Sequence, residues 1–197
     1  MEQPVLHRRP AAGGVGANAP EVPDAPLTIS EGNHLFGMYG TDVGLLSLVV
    51  PFLLEGLREG SACLLVAPKS RQKRILKTLE ELLPSLSDDA TAGRLVLSEH
   101  QDSITAQWKY LASQLSEAQE AGASTFRIVG DMIGLRAHVS ARDLIDFEIR
   151  LDDKIIARFP VSILCVYDAR EFSGLALLNA LKAHRDTFRY PVGRALA

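Results

Sequence analysis

The segment His34–Gly60, HLFGMYGTDVGLLSLVVPFLLEGLREG, reads as a strand, a glycine-bearing turn and an apolar helix. Nucleotide-binding α/β proteins hold phosphate in such a turn. That chemistry needs backbone N–H groups to cradle the oxygens, a lysine to reach the β- and γ-phosphates and a Ser or Thr hydroxyl for Mg2+, in the pattern GxxxxGK[ST]. Gly32 and Gly37 have the spacing of the two glycines, but Met38 and Tyr39 follow. Counted from Gly40, the second glycine falls on Leu45. No lysine precedes Lys69, and Asp42 stands at the expected helix start, where a carboxylate caps the helix and repels a phosphate. The segment has the outline of a phosphate loop without its chemistry, which argues against ordinary Walker-type ATP hydrolysis.

Other residues could do chemistry elsewhere. Asp131 and Asp168 close two apolar strand candidates; paired carboxylates there could hold Mg2+ or share a proton, and equally cap the next helix or turn. His34 opens the first strand, either as a functional group or as a hydrogen-bonded strand-edge histidine. Tyr39 could wall a pocket with its ring and orient a polar ligand group with its hydroxyl, or simply pack in the core. Arg127 and Arg136 bracket the Gly130-Asp131-Met132 turn and could meet an anion. Cys63, Cys165, His34 and His184 match no compact zinc spacing, and both cysteines lie inside apolar runs, so they read as reduced core thiols and no metal is expected. The basic run Lys69–Arg74, KSRQKR, reads as a solvated helix face. There is no GxSxG elbow and no HExxH, so no catalytic residue is assigned and the chain is expected not to be an enzyme.

The elements that position these residues alternate along the chain. Strands are expected at HLFGMYG, Ala62–Ala67, Gly93–Glu99, Thr125–Met132 and Val161–Asp168, with an edge strand at TFRYPV. Helices are expected over Asp42–Glu59, kinked at Pro51, and over Ser70–Leu83, Ser103–Ala121, Ser140 to about Arg158, and Ser173–His184. Such alternation implies βαβ crossovers and a three-layer α/β sandwich around a mostly parallel sheet of five or more strands. Ligands of such sheets bind beyond the carboxyl ends of the strands. A crevice is therefore expected between the turns 37–41, 130–136 and 167–171, walled by Met38, Tyr39, Met132 and Tyr167.

The 197 residues, 47% hydrophobic and 23% charged, suit one domain with a substantial core. Residues 1–28, rich in Pro, Gly and Ala, read as a flexible tail before a domain over 29–197. The net charge of −3 gives no general pull toward nucleic acid or anionic lipid. The most apolar stretch, Val43–Leu54, is too short to span a bilayer and contains Pro51, and no secretory signal is evident, so a cytoplasmic location is expected.

HLFGMY followed by VPFLLEGLREGSACLLVA resembles the opening of the MEDS family, the methanogen/methylotroph DcmR-type sensory domain, and FRIVGDM, LIDFEIRLD and ILCVYDAREFSGLALLNALKAHR resemble its second half. The likeness covers about His34 to Arg185. It implies a RecA/KaiC-like fold with a degenerate phosphate loop and a non-catalytic sensory or regulatory role in bacterial or archaeal signal transduction or transcription control. The signal would be a small organic ligand or a regulatory protein partner, with no cofactor and no direct nucleic-acid contact. Self-association is a further implication, because the RecA-like relatives assemble. The alternative is a residual nucleotide-binding, ATPase-like protein. Three positions depart from the family pattern: Asp131 replaces the usual Glu of G-E-M, Ile133 the aromatic that follows, and Arg185 the proline after His184. The 197 residues leave no room for a helix-turn-helix or kinase domain, so a stand-alone sensor-like domain is expected. Strand-end position and resemblance together nominate His34, Met38, Tyr39, Asp131, Met132, Glu148, Tyr167 and Asp168 as ligand-binding residues.

Overall fold

The computed structural model describes residues 32–87 and 93–188. The tail expected over residues 1–28 lies outside them, as does the TFRYPV segment from residue 189 on. Strands β1 (His34–Tyr39), β2 (Ala62–Val66), β3 (Leu95–Ser98), β4 (Phe126–Asp131), β5 (Val161–Asp168) and β6 (Asp186–Thr187) alternate with helices α1 (Asp42–Glu59), α2 (Lys69–Leu82), α3 (Ile104–Glu120), α4 (Met132–Arg136), α5 (Ala141–Leu151) and α6 (Gly174–Ala183). The strands form one sheet in the order β3-β2-β4-β5-β1-β6, and every pairing is parallel. β4 and β5, at its centre, are buried along their whole lengths, as strands covered on both faces must be.

Helix starts follow local chemistry. The hydroxyls of Thr41, Ser103, Ser140 and Ser173 accept the N–H of Gly44, Ala106, Asp143 and Ala176, satisfying a donor that the first turn leaves open. α1 ends at Gly60, whose φ of 89° is left-handed and admits glycine at least cost. Between these caps α1 is buried on almost every side and continues through Pro51. The helix opened by Ser140 stops being α-helical at Leu151, seven residues before the expected end. It widens into a π turn over Asp152–Ile156, closed by Ala157 N–H to Asp152 O at 2.8 Å.

Side-chain alternation along the strands divides the core in two. Leu35, Tyr39, Val129, Leu164 and Val166 face α1 and α2, with Phe52, Leu53, Leu57, Ile75 and Leu79. Phe36, Ile128, Ile163, Cys165 and Tyr167 face the other layer, with Leu111, Leu144, Phe147 and Leu151. Parallel register brings the carboxyl ends of three strands level: Tyr39 lies beside Asp168, and Asp131 beside Val166.

Candidate functional site

Strand parity sorts the eight nominated residues onto opposite faces of the sheet. Tyr39, Asp131 and Asp168 lie at the carboxyl edge on the α1/α2 side. His34, Met38, Met132, Glu148 and Tyr167 lie on the other side. The expected crevice combining Tyr39 with Met132 and Tyr167 is therefore not a single cavity. Tyr39 and Tyr167 are fully buried, and Met132 packs in the second core with Met38 against it.

On the first face the carboxyl edge of the sheet is filled from within. Arg71, in the first turn of α2, reaches across the strand ends. Its Nη1 donates to both Asp131 oxygens at 2.9 and 2.7 Å and to the Tyr39 hydroxyl, and its Nη2 donates to Asp168 Oδ2 at 2.9 Å. Arg170 closes the far side of Asp168 with Nε and Nη2 donations at 2.8 and 2.7 Å, and Asp168 Oδ1 also accepts the Arg170 backbone N–H at 3.0 Å. The turn-capping alternative for Asp168 thus holds alongside its ion pairs. Asp42, at the start of α1, pairs with Arg74 and with Arg170. Among the described residues, three carboxylates face three guanidiniums at this edge, so the charges gathered here balance.

The protonation states follow from these contacts. Hydrogen bonding from Arg170 holds Asp168 below the usual carboxylate range, and Arg74 does the same for Asp42. Burial pushes Asp131 up; the Arg71 charge and hydrogen bonds oppose it without cancelling it. For Arg71, burial pulls down but the Asp131 charge and hydrogen bond outweigh it, so its pKa is raised. The two partners thus differ on how far burial is offset. A guanidinium cannot shed its proton, and it contacts both oxygens, so the ionised carboxylate fits the geometry. Burial, reinforced by Asp131, raises Tyr39 and keeps its hydroxyl protonated.

Arg71 and Arg170 are absent from the sequence nomination. Lys69–Arg74 is a solvated face only in part, since Arg71 turns inward and its side chain is 17% exposed. The signal was available: three carboxylates at one sheet edge need cations, and the basic start of the helix after β2 is at hand to supply them. Arg127 and Arg136 pair with Glu59 and Glu171 of the same chain. Arg127 is buried at the other end of β4, donating to Phe52 O at 2.8 Å and Glu59 at 2.5 Å, while Arg136 lies over the Phe172 ring.

On the second face His34 and Cys165 from the sheet meet Glu148 from α5 and His184 from the end of α6. Glu148 is fully buried and faces inward, not toward solvent. Its Oε2 lies 3.0 Å from His34 Nε2 and 3.4 Å from His184 Nε2, and its Oε1 accepts the Tyr167 hydroxyl at 2.5 Å. Burial alone would raise Glu148, but His184, His34 and Tyr167 together hold it low. Cys63, by contrast, lies on the α1/α2 side as a core thiol, its pKa pushed up to about 12 by burial.

Open space lies outside both clusters. A groove of about 350 Å³ runs between α5 and α6 past Arg142, Ile145, Asp146, Leu175 and Asn179. A second, of about 310 Å³, shares Ile145 and Ala176 and extends to Arg136 and Phe172. Both have the size of small-molecule sites.

Comparison with known proteins places this geometry in context. Residues 33–185 match the family described as the MEthanogen/methylotroph, DcmR Sensory domain. The chain is 33% identical over 176 residues to the transcriptional repressor DcmR of Methylorubrum extorquens, an alignment covering 89% of this chain and 66%, just under two thirds, of the repressor. Among solved structures it resembles a KaiC-like protein of Pyrococcus horikoshii, with a TM-score of 0.56 at 15% identity over 80% of this chain and 70% of the other. It also resembles the flagellar accessory protein FlaH of Methanocaldococcus jannaschii, with a TM-score of 0.53 at 15% identity over 82% and 74%. These two establish a KaiC-like, RecA-type fold.

Proposed function

This chain belongs to the MEDS family of sensory domains, and from that premise we propose that it is a non-catalytic regulatory domain of a transcription-control system. It responds to a small organic ligand or a protein partner and not to nucleotide turnover. Kinship to a transcriptional repressor supports the regulatory part. The observation that carries the rest is Arg71: its guanidinium and the carboxylates of Asp131 and Asp168 satisfy one another where a phosphate would bind. With that edge closed, the α5/α6 grooves are where a signal would enter, and binding there acts only through different affinities for two arrangements of those helices. Among the described residues no helix is long and apolar enough to cross a membrane, in keeping with the cytoplasmic location this reading assumes.

Calorimetric titration of the full chain with Mg·ATP tests the proposal. The expected result is no saturable binding below the millimolar range; micromolar affinity would overturn it. The alternative, a residual nucleotide-binding protein, draws on Arg71, Arg74 and Arg170 gathered near the α1 start. It predicts that Asp42→Lys, which removes the repelling carboxylate, gains ATP affinity.

A further inference from the structure

The second-face cluster contains a conflict that its own hydrogen bonds do not resolve. His184 Nδ1 lies 2.7 Å from Ala180 O. A carbonyl only accepts, so Nδ1 carries a proton, and in the neutral ring Nε2 presents a lone pair. That lone pair has no hydrogen-bond partner, the side chain is fully buried, and it points at Glu148 Oε2 3.4 Å away. In that state two acceptors face each other in the core. His34 has the same difficulty, with Nε2 facing Glu148 at 3.0 Å and Nδ1 facing Asp152 at 3.4 Å. As a neutral ring it donates to one carboxylate and leaves a lone pair against the other. Cys165 Sγ adds a further soft donor 3.6 Å from His34 Nε2.

We propose that His34 Nε2, His184 Nε2, Cys165 Sγ and a Glu148 oxygen form a closed, four-ligand site for a borderline divalent transition metal of the Zn(II) class. One donor atom from each residue lies within 4.8 Å of every other. The edges of a tetrahedron with metal–ligand bonds of about 2.0–2.3 Å are roughly 3.3–3.8 Å, so small side-chain adjustments suffice. The thiolate and carboxylate balance the ion's two charges. The surroundings are those that metal ligands require. His34 Nδ1 is left to donate to Asp152, His184 Nδ1 to Ala180 O, and the Tyr167 hydroxyl to the free Glu148 oxygen. Asp152 is itself held by Arg185 Nε at 2.6 Å and stands in the π turn that ends α5, which gives this departure from helical geometry a purpose. With four protein ligands there is no open position for hydrolytic chemistry, so the ion fixes α5 and α6 to the sheet and the site suits metal or redox sensing. No compact zinc spacing marks the site, because the ligands are spread from His34 to His184 and come from two strands, one helix and the end of another.

The test is titration of the chelator-stripped full chain with Co(II) under reducing conditions. The expected result is one equivalent bound, with a thiolate-to-cobalt band in the near ultraviolet, visible d–d absorption of a tetrahedral ion, and loss of both on adding Zn(II). Cys165→Ser should abolish the near-ultraviolet band, whereas Cys63→Ser, which alters only the thiol on the opposite face, should retain it. Asp152→Asn, a positioning change that leaves all four ligands, should weaken Co(II) binding about 10–100-fold. Circular dichroism of each variant confirms folding. A folded parent that binds no Co(II) at micromolar concentration, or a spectrum unchanged by Cys165→Ser, overturns the assignment. Mg·ATP titration reads the other face of the sheet, so failure here is distinguishable from failure of the sensory reading.

Discussion

At the residue scale the decisive group is Arg71. Asp131 is 1% exposed, and the Arg71 guanidinium contacts both its oxygens. Arg71→Ala leaves that carboxylate buried without its cation, a loss of about 3 kcal/mol by comparison with other buried pairs. Adding Asp131→Asn should recover part of it, because a neutral amide is cheaper to bury. Urea denaturation of the single and double variants checks both, and an Arg71→Ala cost below about 1 kcal/mol would mean the network merely decorates the edge. His100 supplies a pH prediction. Its Nδ1 is buried without a partner against α4, where a Cβ at Gly134 would lie 2.5 Å away. Burial, with the nearby His138 charge, lowers its pKa from 6.5 to about 4. The unfolded chain therefore takes up the proton first, so the stabilising contribution is present above about pH 6.5 and is lost as pH falls toward 4. At pH 5 the loss is about 2 kcal/mol, and His100→Gln should flatten the fall in melting temperature between pH 7 and 5 relative to the parent. Asp131, Asp168, Tyr39 and Tyr167 are legible in the sequence because chain position puts them at strand ends. Of their partners, the basic start of α2 is legible as a source of cations, but which of its arginines turns inward is not, and Arg170 depends on which way the β5–α6 turn faces.

At the scale of elements, the sequence is most readable where local chemistry sets the boundary. Ser103, Ser140 and Ser173 start helices as read, and β5 runs over the same eight residues as expected. The end of α5 is not legible, because Asp152-Asp153-Lys154 carries no stop signal and the π turn is held by tertiary contacts with His34 and Arg185. α1 shows packing overriding propensity. Gly56, in its interior, costs about 1 kcal/mol of helix propensity relative to alanine. Yet a Cβ there would meet Arg127 Cδ at 2.5 Å and Cys63 Sγ at 3.1 Å. Arg127 is 3% exposed and pinned to Phe52 O and Glu59, so it has little freedom to retreat. Gly56→Ala should therefore destabilise by about 1–3 kcal/mol despite the better helix former. A variant as stable as the parent in denaturant would show that the α1–β4 contact yields.

At the scale of the whole molecule, the fold class follows from alternating strands and helices, but the division of labour across the sheet does not. Chain position alone groups residues by nearness to strand ends. The structure separates Asp168 from its neighbour Tyr167 because successive strand residues point to opposite faces. One face carries the Arg71 network, a set of charges already satisfied; the other carries His34, Glu148, Cys165 and His184, with lone pairs still to satisfy. Among the described residues, no side-chain hydrogen bond or ion pair joins Tyr39, Asp42, Arg71, Arg74, Asp131, Asp168 or Arg170 to His34, Glu148, Asp152, Cys165 or His184. The buried central strands lie between them, and packed interiors resist small displacements. The two centres should then behave as independent sites. In chelator, the stability losses of Arg71→Ala and Cys165→Ser should add in the double variant to within about 0.5 kcal/mol, as for separated residues without shared partners. A coupling above about 1 kcal/mol would show instead that the central strands carry the state of one face to the other. The self-satisfied phosphate position would then be a second moving part of the sensor and not a closed relic.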